Sequence, residues 1–394
     1  MTRGIRMHAH AGGSALAWLL FCGGGVAIAQ SPEPPSSSTA LPLNPLALSV
    51  PVAPQPVAGS DGRTHLTWEV VATNLAHNRV KVRSIAVFGT DEAKARLEYV
   101  DGQVAAHLSP IADFTRPVDE IASSMTAVAW IDLALDPGAT LPASVETRLL
   151  VEGEGIAAED AGTRVVSAVD ATPPRVLQAP LAGPLWAALE GCCDLANHHR
   201  RGLRSVDGRL VLPERHAIDF IQLDRKANLY RGSDVNEHYF AFGKPVLAVA
   251  DATVVDVYDE LTDIAPREKL PPPSLPKAGG NHVILDLGGG VFAMYGHLKS
   301  GSIRVHAGDR VRAGEAFAQL GNNGNSDLPH LHFQLMDSRN FALAQGLPFV
   351  FERFDLVGRI DPVTEKIVAS GKPSARKNEL PLTFSVVNFP IPRK

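Results

Sequence analysis

The sequence predicts a mainly all-β protein built as two folded units, and three observations carry that reading. Apolar and polar residues alternate with period two over strand-length segments, and these segments are punctuated by Gly, Asn, Asp and Pro. At 394 residues, with 45% hydrophobic and 20% charged composition, the chain is longer than one typical domain and ordinary in its globular character. A Pro-punctuated stretch, ATPPRVLQAPLAGPLW, separates two blocks of strand-like segments with different vocabularies.

The N-terminus comes first. Arg3 and Arg6 precede the apolar run SALAWLLFCGGGVAIA, which ends in Ala27-Ile28-Ala29, a small-x-small cleavage site before Gln30. Residues 1–29 are therefore expected to be a secretory signal, and the mature protein to reside in the periplasm or outside the cell. The run is short and broken by glycines, which disfavours a spanning helix. A lipoprotein site at Cys22 fits less well, because Phe21 is bulky where a small residue is needed. Cleavage removes two arginines and moves the formal charge from -5 to -7. No Lys/Arg-rich run remains, so neither nucleic acid nor an anionic membrane surface is expected as a partner, and no membrane span is expected after signal removal.

Residues 30–60 are rich in Pro and Ser and read as a tether. Over 61–172, HLTWEVVATNL, RVKVRSIAVFG, ARLEYVDGQVAAHL, TAVAWIDLALD, ASVETRLLVEG and TRVVSAV predict a β-sandwich. It holds no histidine cluster, acidic pair or phosphate loop. The second unit is placed at 178–394, with strands in AIDFIQLD, PVLAVADATVVDVYD, NHVILDLGGGVFAMYGHL and HLHFQLMD. Glycines 288 to 290 supply the positive φ of a hairpin turn between HVILDL and VFAMYGHL. The segment 259–280, too Pro-rich for regular structure, is expected to be a functional or disordered loop. Cys192 and Cys193 are adjacent, and in an oxidising compartment they stand either as a vicinal disulfide or as two buried thiols.

The chain contains no HExxH, CxxC, GxSxG, Walker-type or GxGxxG motif. Its chemistry rests on histidine. In LPHLHFQLMD, alternation puts His330 and His332 on one strand face and Leu331 and Phe333 on the other. The turn-rich GNNGNSDLP before them delivers both imidazoles at the mouth of the strand. MYGHL places Tyr295 and His297 on one face of another strand, and Asp219 in AIDF adds a carboxylate from a third. Three histidines and an aspartate suit a zinc hydrolase site with spare imidazoles for proton transfer. His238, His282 and His306 are read as surface or packing residues.

The order AIDF, PVLAVADATVV, NHVILDLGGGVFAMYGHL, VHAGDRVRAGEAFAQLGNNGNSDLPHLHFQL resembles the lysostaphin or LytM-like zinc endopeptidases, which cleave peptide cross-links of bacterial cell walls. The resemblance covers residues 215–337. It implies a curved antiparallel β-sheet domain, a zinc cofactor and a peptidoglycan substrate, with Asp219 and His332 as zinc ligands and His297 and His330 as the catalytic pair, and no glutamate base.

One position departs from the family pattern. HxGxD needs His at 215, where this chain has Arg215, with His216 displaced by one. Arginine is permanently protonated and cannot ligate zinc. Three readings stand: a bulge turns His216 inward as the third ligand; His198 or His199 reaches in from the preceding loop; or Arg215 pairs with Asp219 and no metal binds. His216 is taken as the expected ligand. The last reading makes the domain a non-cleaving envelope scaffold or activator that binds cell wall or a partner protein.

Overall fold

A computed structural model describes residues 44–90, 92–157, 161–193, 197–268 and 278–391. The expected signal, the first part of the tether and the centre of the 259–280 loop lie outside the described residues. Strands dominate, and among the described residues the α-helical content is one short helix, Gly102–His107. No described helix is long and apolar enough to cross a membrane.

The first half is two facing antiparallel sheets. One runs Leu46–Ser49, Thr64–Asn74, Thr126–Leu135, Leu108–Pro110, with Gln55–Ala58 also paired to Thr64–Asn74. The other runs Gly162–Ala168, Ser144–Glu152, Val80–Gly89, Leu97–Val100, with Glu120–Ile121 on Val80–Gly89. Alternate residues Leu66, Trp68 and Val70 from the first sheet meet Val82, Ile85 and Val87 from the second in one core. The parity change between Val82 and Ile85 follows from a register shift at Val82/Ser84, which inserts one residue and restores inward facing. Two strands, Leu46–Ser49 and Gln55–Ala58, fall within the stretch expected to be a tether. The prolines there argue against a central strand, yet short flanking strands tolerate them because they need not donate on both sides.

The face of Thr64–Asn74 opposite this core carries His65, Thr67 and Glu69, an alternation that normally faces water. All three are buried instead. The cause is the second half of the chain: Val128 and Trp130, on the neighbouring strand's same outer face, pack with Leu203 and Leu212.

His65 illustrates what this burial does. Its ring nitrogens contact Asp132 and Asp61 at 3.1–3.3 Å. Burial alone would lower the imidazole's pKa, but hydrogen bonds and charges from Asp132 and Asp61 override it and raise it to about 9. A pKa raised above the ordinary 6.5 stabilises the fold fully below pH 6.5 and ceases to do so as pH rises through about 9. Urea midpoints are therefore expected to fall between those limits by an amount equivalent to at most about 3 kcal/mol. In His65→Gln that pH dependence should flatten; an equally steep profile in the variant would refute the assignment.

The second half is organised on an eleven-stranded sheet. Its central order is Ala252–Tyr258, His282–Asp286, Phe292–Gly296, Leu331–Met336, Ile218–Gln222, Gly183–Leu189, Ser385–Phe389. The hairpin between His282–Asp286 and Phe292–Gly296 turns through Gly288, Gly289 and Gly290, all at positive φ. Leu331, Phe333, Tyr295, Phe220 and Phe349 share a single core beneath the sheet. Cys192 and Cys193 are joined as a vicinal disulfide in the loop after Gly183–Leu189.

Candidate functional site

Asp219 and His332 are direct partners in the antiparallel pairing of Ile218–Gln222 with Leu331–Met336. Cross-strand neighbours on one face are the closest side chains a sheet offers, and here His332 Nδ1 lies 2.9 Å from Asp219 Oδ1. His330, one residue before the strand begins, brings Nε2 to 3.6 Å from the same oxygen. His297 stands just past the end of Phe292–Gly296, at φ 58°, a left-handed conformation that costs a non-glycine residue about 1–2 kcal/mol. Its ring centroid is 4.5 Å from that of His330. One cavity is lined by Asp219, Glu214, His198, His199, His297, His330 and His332.

His297 and His330 are held in a common orientation. His297 Nδ1 lies 2.7 Å from the Asn323 carbonyl and His330 Nδ1 lies 2.8 Å from the Leu328 carbonyl. A carbonyl only accepts, so each Nδ1 carries a proton, and in the neutral tautomer Nε2 is then the lone-pair nitrogen. His332 is the reverse: Nε2 donates to Gln334 Oε1 at 2.7 Å, and the Gln334 amide is oriented by donating to the Pro213 carbonyl at 3.0 Å. Its Nδ1 therefore faces Asp219. Histidines with one nitrogen tied to a carbonyl and the other turned into a shared space have the arrangement of metal ligands and their neighbours.

Burial would raise the Asp219 carboxyl, but His199, His330 and His332 outweigh it and hold it well below the usual carboxylate range. His297 is driven well below the imidazole range by burial, with His330 and His332 adding to the effect. For His332, burial lowers the pKa, but Asp219 more than compensates and raises it to about 9. A buried anion among neutral or neutralisable imidazoles is a donor set chemically suited to a divalent cation.

The GNNGNSDLP run does more than turn the chain. Asn323, fully buried, donates from its side chain to Asp263 Oδ1 and the Leu298 carbonyl while accepting from the Asn281 N–H. Gly324, at φ 73°, lets this loop approach Gly280 so closely that a Cβ would fall 2.4 Å from its nitrogen. The platform so fixed carries the carbonyl that orients His297.

Several expectations need correction. His216 does not line the cavity; it is buried beside Arg215, Arg200 and Glu69, its Nδ1 has no hydrogen-bond partner, and burial with the two cations depresses its pKa to about 3. The reason is local: residues 213–216 form a turn, with Ala217 N–H bonded to the Glu214 carbonyl, and the strand starts at Ile218. Strand alternation therefore does not reach Arg215 or His216. Arg215 pairs with Glu69, not Asp219. Tyr295 does not share the site with His297; it is fully buried between Phe317 and Phe333, and its hydroxyl accepts the Val249 N–H at 2.9 Å. Glu214, unmarked by any motif in the sequence, lines the cavity and bonds Arg204 at 3.1 Å. His199, an open alternative in the sequence, brings Nε2 to 3.6 Å from Asp219 Oδ2.

The class defined so far is an antiparallel β domain with a histidine–aspartate cluster whose donor atoms suit a divalent cation. Residues 230–342 match the family model of Peptidase family M23, so the chain carries a lysostaphin/LytM-like domain of that family. The matched segment contains His297, His330 and His332 and begins after Asp219. A curated relative, the glycyl-glycine endopeptidase ALE-1 of Staphylococcus capitis, is 31% identical over 117 residues, which are 29% of this chain and 28% of that protein. The chain thus spans under a third of that relative's length. Among solved structures, it is similar to the catalytic domain of lysostaphin from Staphylococcus simulans (24% identity, 36% of this chain and 80% of that one, TM-score 0.22). It is also similar to a zinc-containing peptidase from Vibrio cholerae (15% identity, 73% and 81% covered, TM-score 0.24).

Proposed function

We propose that this chain is an exported zinc-dependent endopeptidase that hydrolyses peptide bonds in peptidoglycan stem peptides or cross-links, with Asp219 and His332 as metal ligands and His297 and His330 as the catalytic pair. The observation that carries this reading is the buried carboxylate of Asp219 with imidazole nitrogens converging on it at 2.9–3.6 Å. The match to Peptidase family M23 over the histidine-bearing segment supports the reaction class, and the signal-like sequence of residues 1–29 supports export. The same reading divides the mature chain into the sandwich at 61–172 and the peptidase at 178–394.

When bound, zinc would polarise the scissile carbonyl and lower the pKa of water at the site. The protein's own groups do the rest. His330 Nε2, the nitrogen not engaged by the Leu328 carbonyl, accepts the water's proton in the neutral tautomer and later returns it to the leaving amine. His297 Nε2, likewise an acceptor, holds the water's second hydrogen and so orients its lone pair towards the carbonyl carbon. Asp219 offsets positive charge at the centre of the cavity.

The test is metal analysis of the purified mature protein, followed by digestion of purified peptidoglycan. About one zinc per chain, lost in His332→Ala, together with new amino termini in the digest, is the expected result. Metal-replete protein that holds no zinc would overturn the reading. It would leave a non-cleaving scaffold that binds wall or partner protein, the alternative favoured by Arg215 at the position where the motif needs a ligand.

A further inference from the structure

The site as proposed lacks a third protein ligand, and the place where the motif would supply it holds Arg215, which turns away. Its guanidinium goes to Glu69 on the sandwich strand Thr64–Asn74, with both side chains buried. The same carboxylate receives Arg200, which is 1% exposed and whose Nη2 also donates to the carbonyls of Trp68 at 3.1 Å and Ile131 at 3.0 Å. Two guanidiniums from separate loops beside the site thus converge on one anion contributed by the other half of the chain.

Arg200 is the next residue after His199. The His199 ring points the other way: Nδ1 donates to the Glu190 carbonyl at 2.9 Å, which leaves the Nε2 lone pair facing Asp219 Oδ2 at 3.6 Å. The loop is fixed on its near side as well. Asn197 donates to the Gly191 carbonyl at 2.7 Å and accepts the Arg200 N–H at 2.6 Å. Donor atoms of His199, Glu214 and His332 lie within 4.8 Å of one another, as do those of His198, His199 and Asp219, and His199 is common to both sets. The rivals are engaged elsewhere: Glu214 is paired with Arg204, and the mostly exposed His198 is paired with the Glu190 carboxylate at 3.2 Å.

We infer that His199 Nε2 is the third protein ligand of the metal, in the role the family motif would give to position 215, and that Glu69 of the sandwich is the positioning residue that holds it through Arg200. The inference rests on the zinc site proposed above. The sandwich thereby completes the site from outside. Arg215 is then no relic of a missing ligand, since it is the second strut of the same anchor.

The test uses the full mature chain, stripped of metal and titrated with zinc against a chelator and with cobalt for its visible spectrum. His199→Ala is expected to weaken metal binding at least 100-fold and to change the cobalt bands, because one imidazole leaves the ligand set. Glu69→Gln is expected to weaken it about 10-fold and shift the spectrum towards that of His199→Ala. Should Glu69→Gln fail to fold, Arg200→Lys keeps the charge but loses the planar fork, and the same shift is expected. Wild-type affinity and spectrum in His199→Ala, with binding lost in His332→Ala or Glu214→Gln, would overturn the ligand assignment. An unchanged spectrum in folded Glu69→Gln and Arg200→Lys would overturn the positioning role. A wild-type chain that takes up no metal is a different failure, that of the zinc reading itself.

Discussion

Glu69→Ala is expected to lower the stability of the protein by about 3–5 kcal/mol, the loss seen when one partner of a buried ion pair is removed. Glu69 is completely buried, and burial would raise its pKa, yet Arg215 and Arg200 reverse the direction and keep it ionised. Alanine at this position leaves two guanidiniums, 1% and 5% exposed on their side chains, without their counterion. Neither can shed its proton near neutral pH, so the charge cannot be escaped by a change of state. Denaturant unfolding followed by intrinsic fluorescence measures the loss. Replacing Glu69, Arg200 and Arg215 together by apolar residues of similar volume should recover most of it, because the cost lies in uncompensated charge rather than in lost packing. A change below about 1 kcal/mol in Glu69→Ala would mean that water reaches the guanidiniums and that the anchor is weak.

His330→Ala is expected to reduce kcat for peptide hydrolysis by about 10²–10⁴-fold while the protein still binds metal. The separation of the two readouts is the point. His330 Nε2 lies 3.6 Å from Asp219 Oδ1, too far for a hydrogen bond, and its Nδ1 is committed to the Leu328 carbonyl with Ser326 Oγ at 3.2 Å. That geometry leaves Nε2 as the nitrogen available to a water in the cavity. His297→Ala should produce a loss of similar order, and the double variant a loss well short of the product, since the two imidazoles serve one water. Kinetics of amino-terminus release from purified peptidoglycan, with metal content measured on the same samples, decides the matter. Loss of metal alongside activity in His330→Ala would move that residue from proton transfer to ligation.

Much of the fold is legible because β-structure writes itself in alternation. The hairpin at Gly288 to Gly290 and the inward set Leu331 and Phe333 follow from period two and from turn chemistry alone. Alternation misleads where the strand has not yet begun. The expectation of His216 as a ligand assumes that the chain before Ile218–Gln222 bulges within a continuing strand, and the pairing of Arg215 with Asp219 assumes that the strand continues without a bulge; a turn stands there instead. Tyr295 misleads for a related reason, since His297 leaves the strand in a left-handed conformation and so does not share its face.

By itself the sequence determined the mainly β architecture, the export signal as an expectation, and the histidine-rich segment that matches Peptidase family M23, because each of these is written in residues close together along the chain. Only the tertiary structure decided which side chain approaches Asp219 from the far side. His199 lies in a loop with no periodicity to mark it, and Glu69 sits on what reads as the solvent face of a strand. Burial of that face depends on the two halves of the chain meeting there, and no local pattern in either half records the contact.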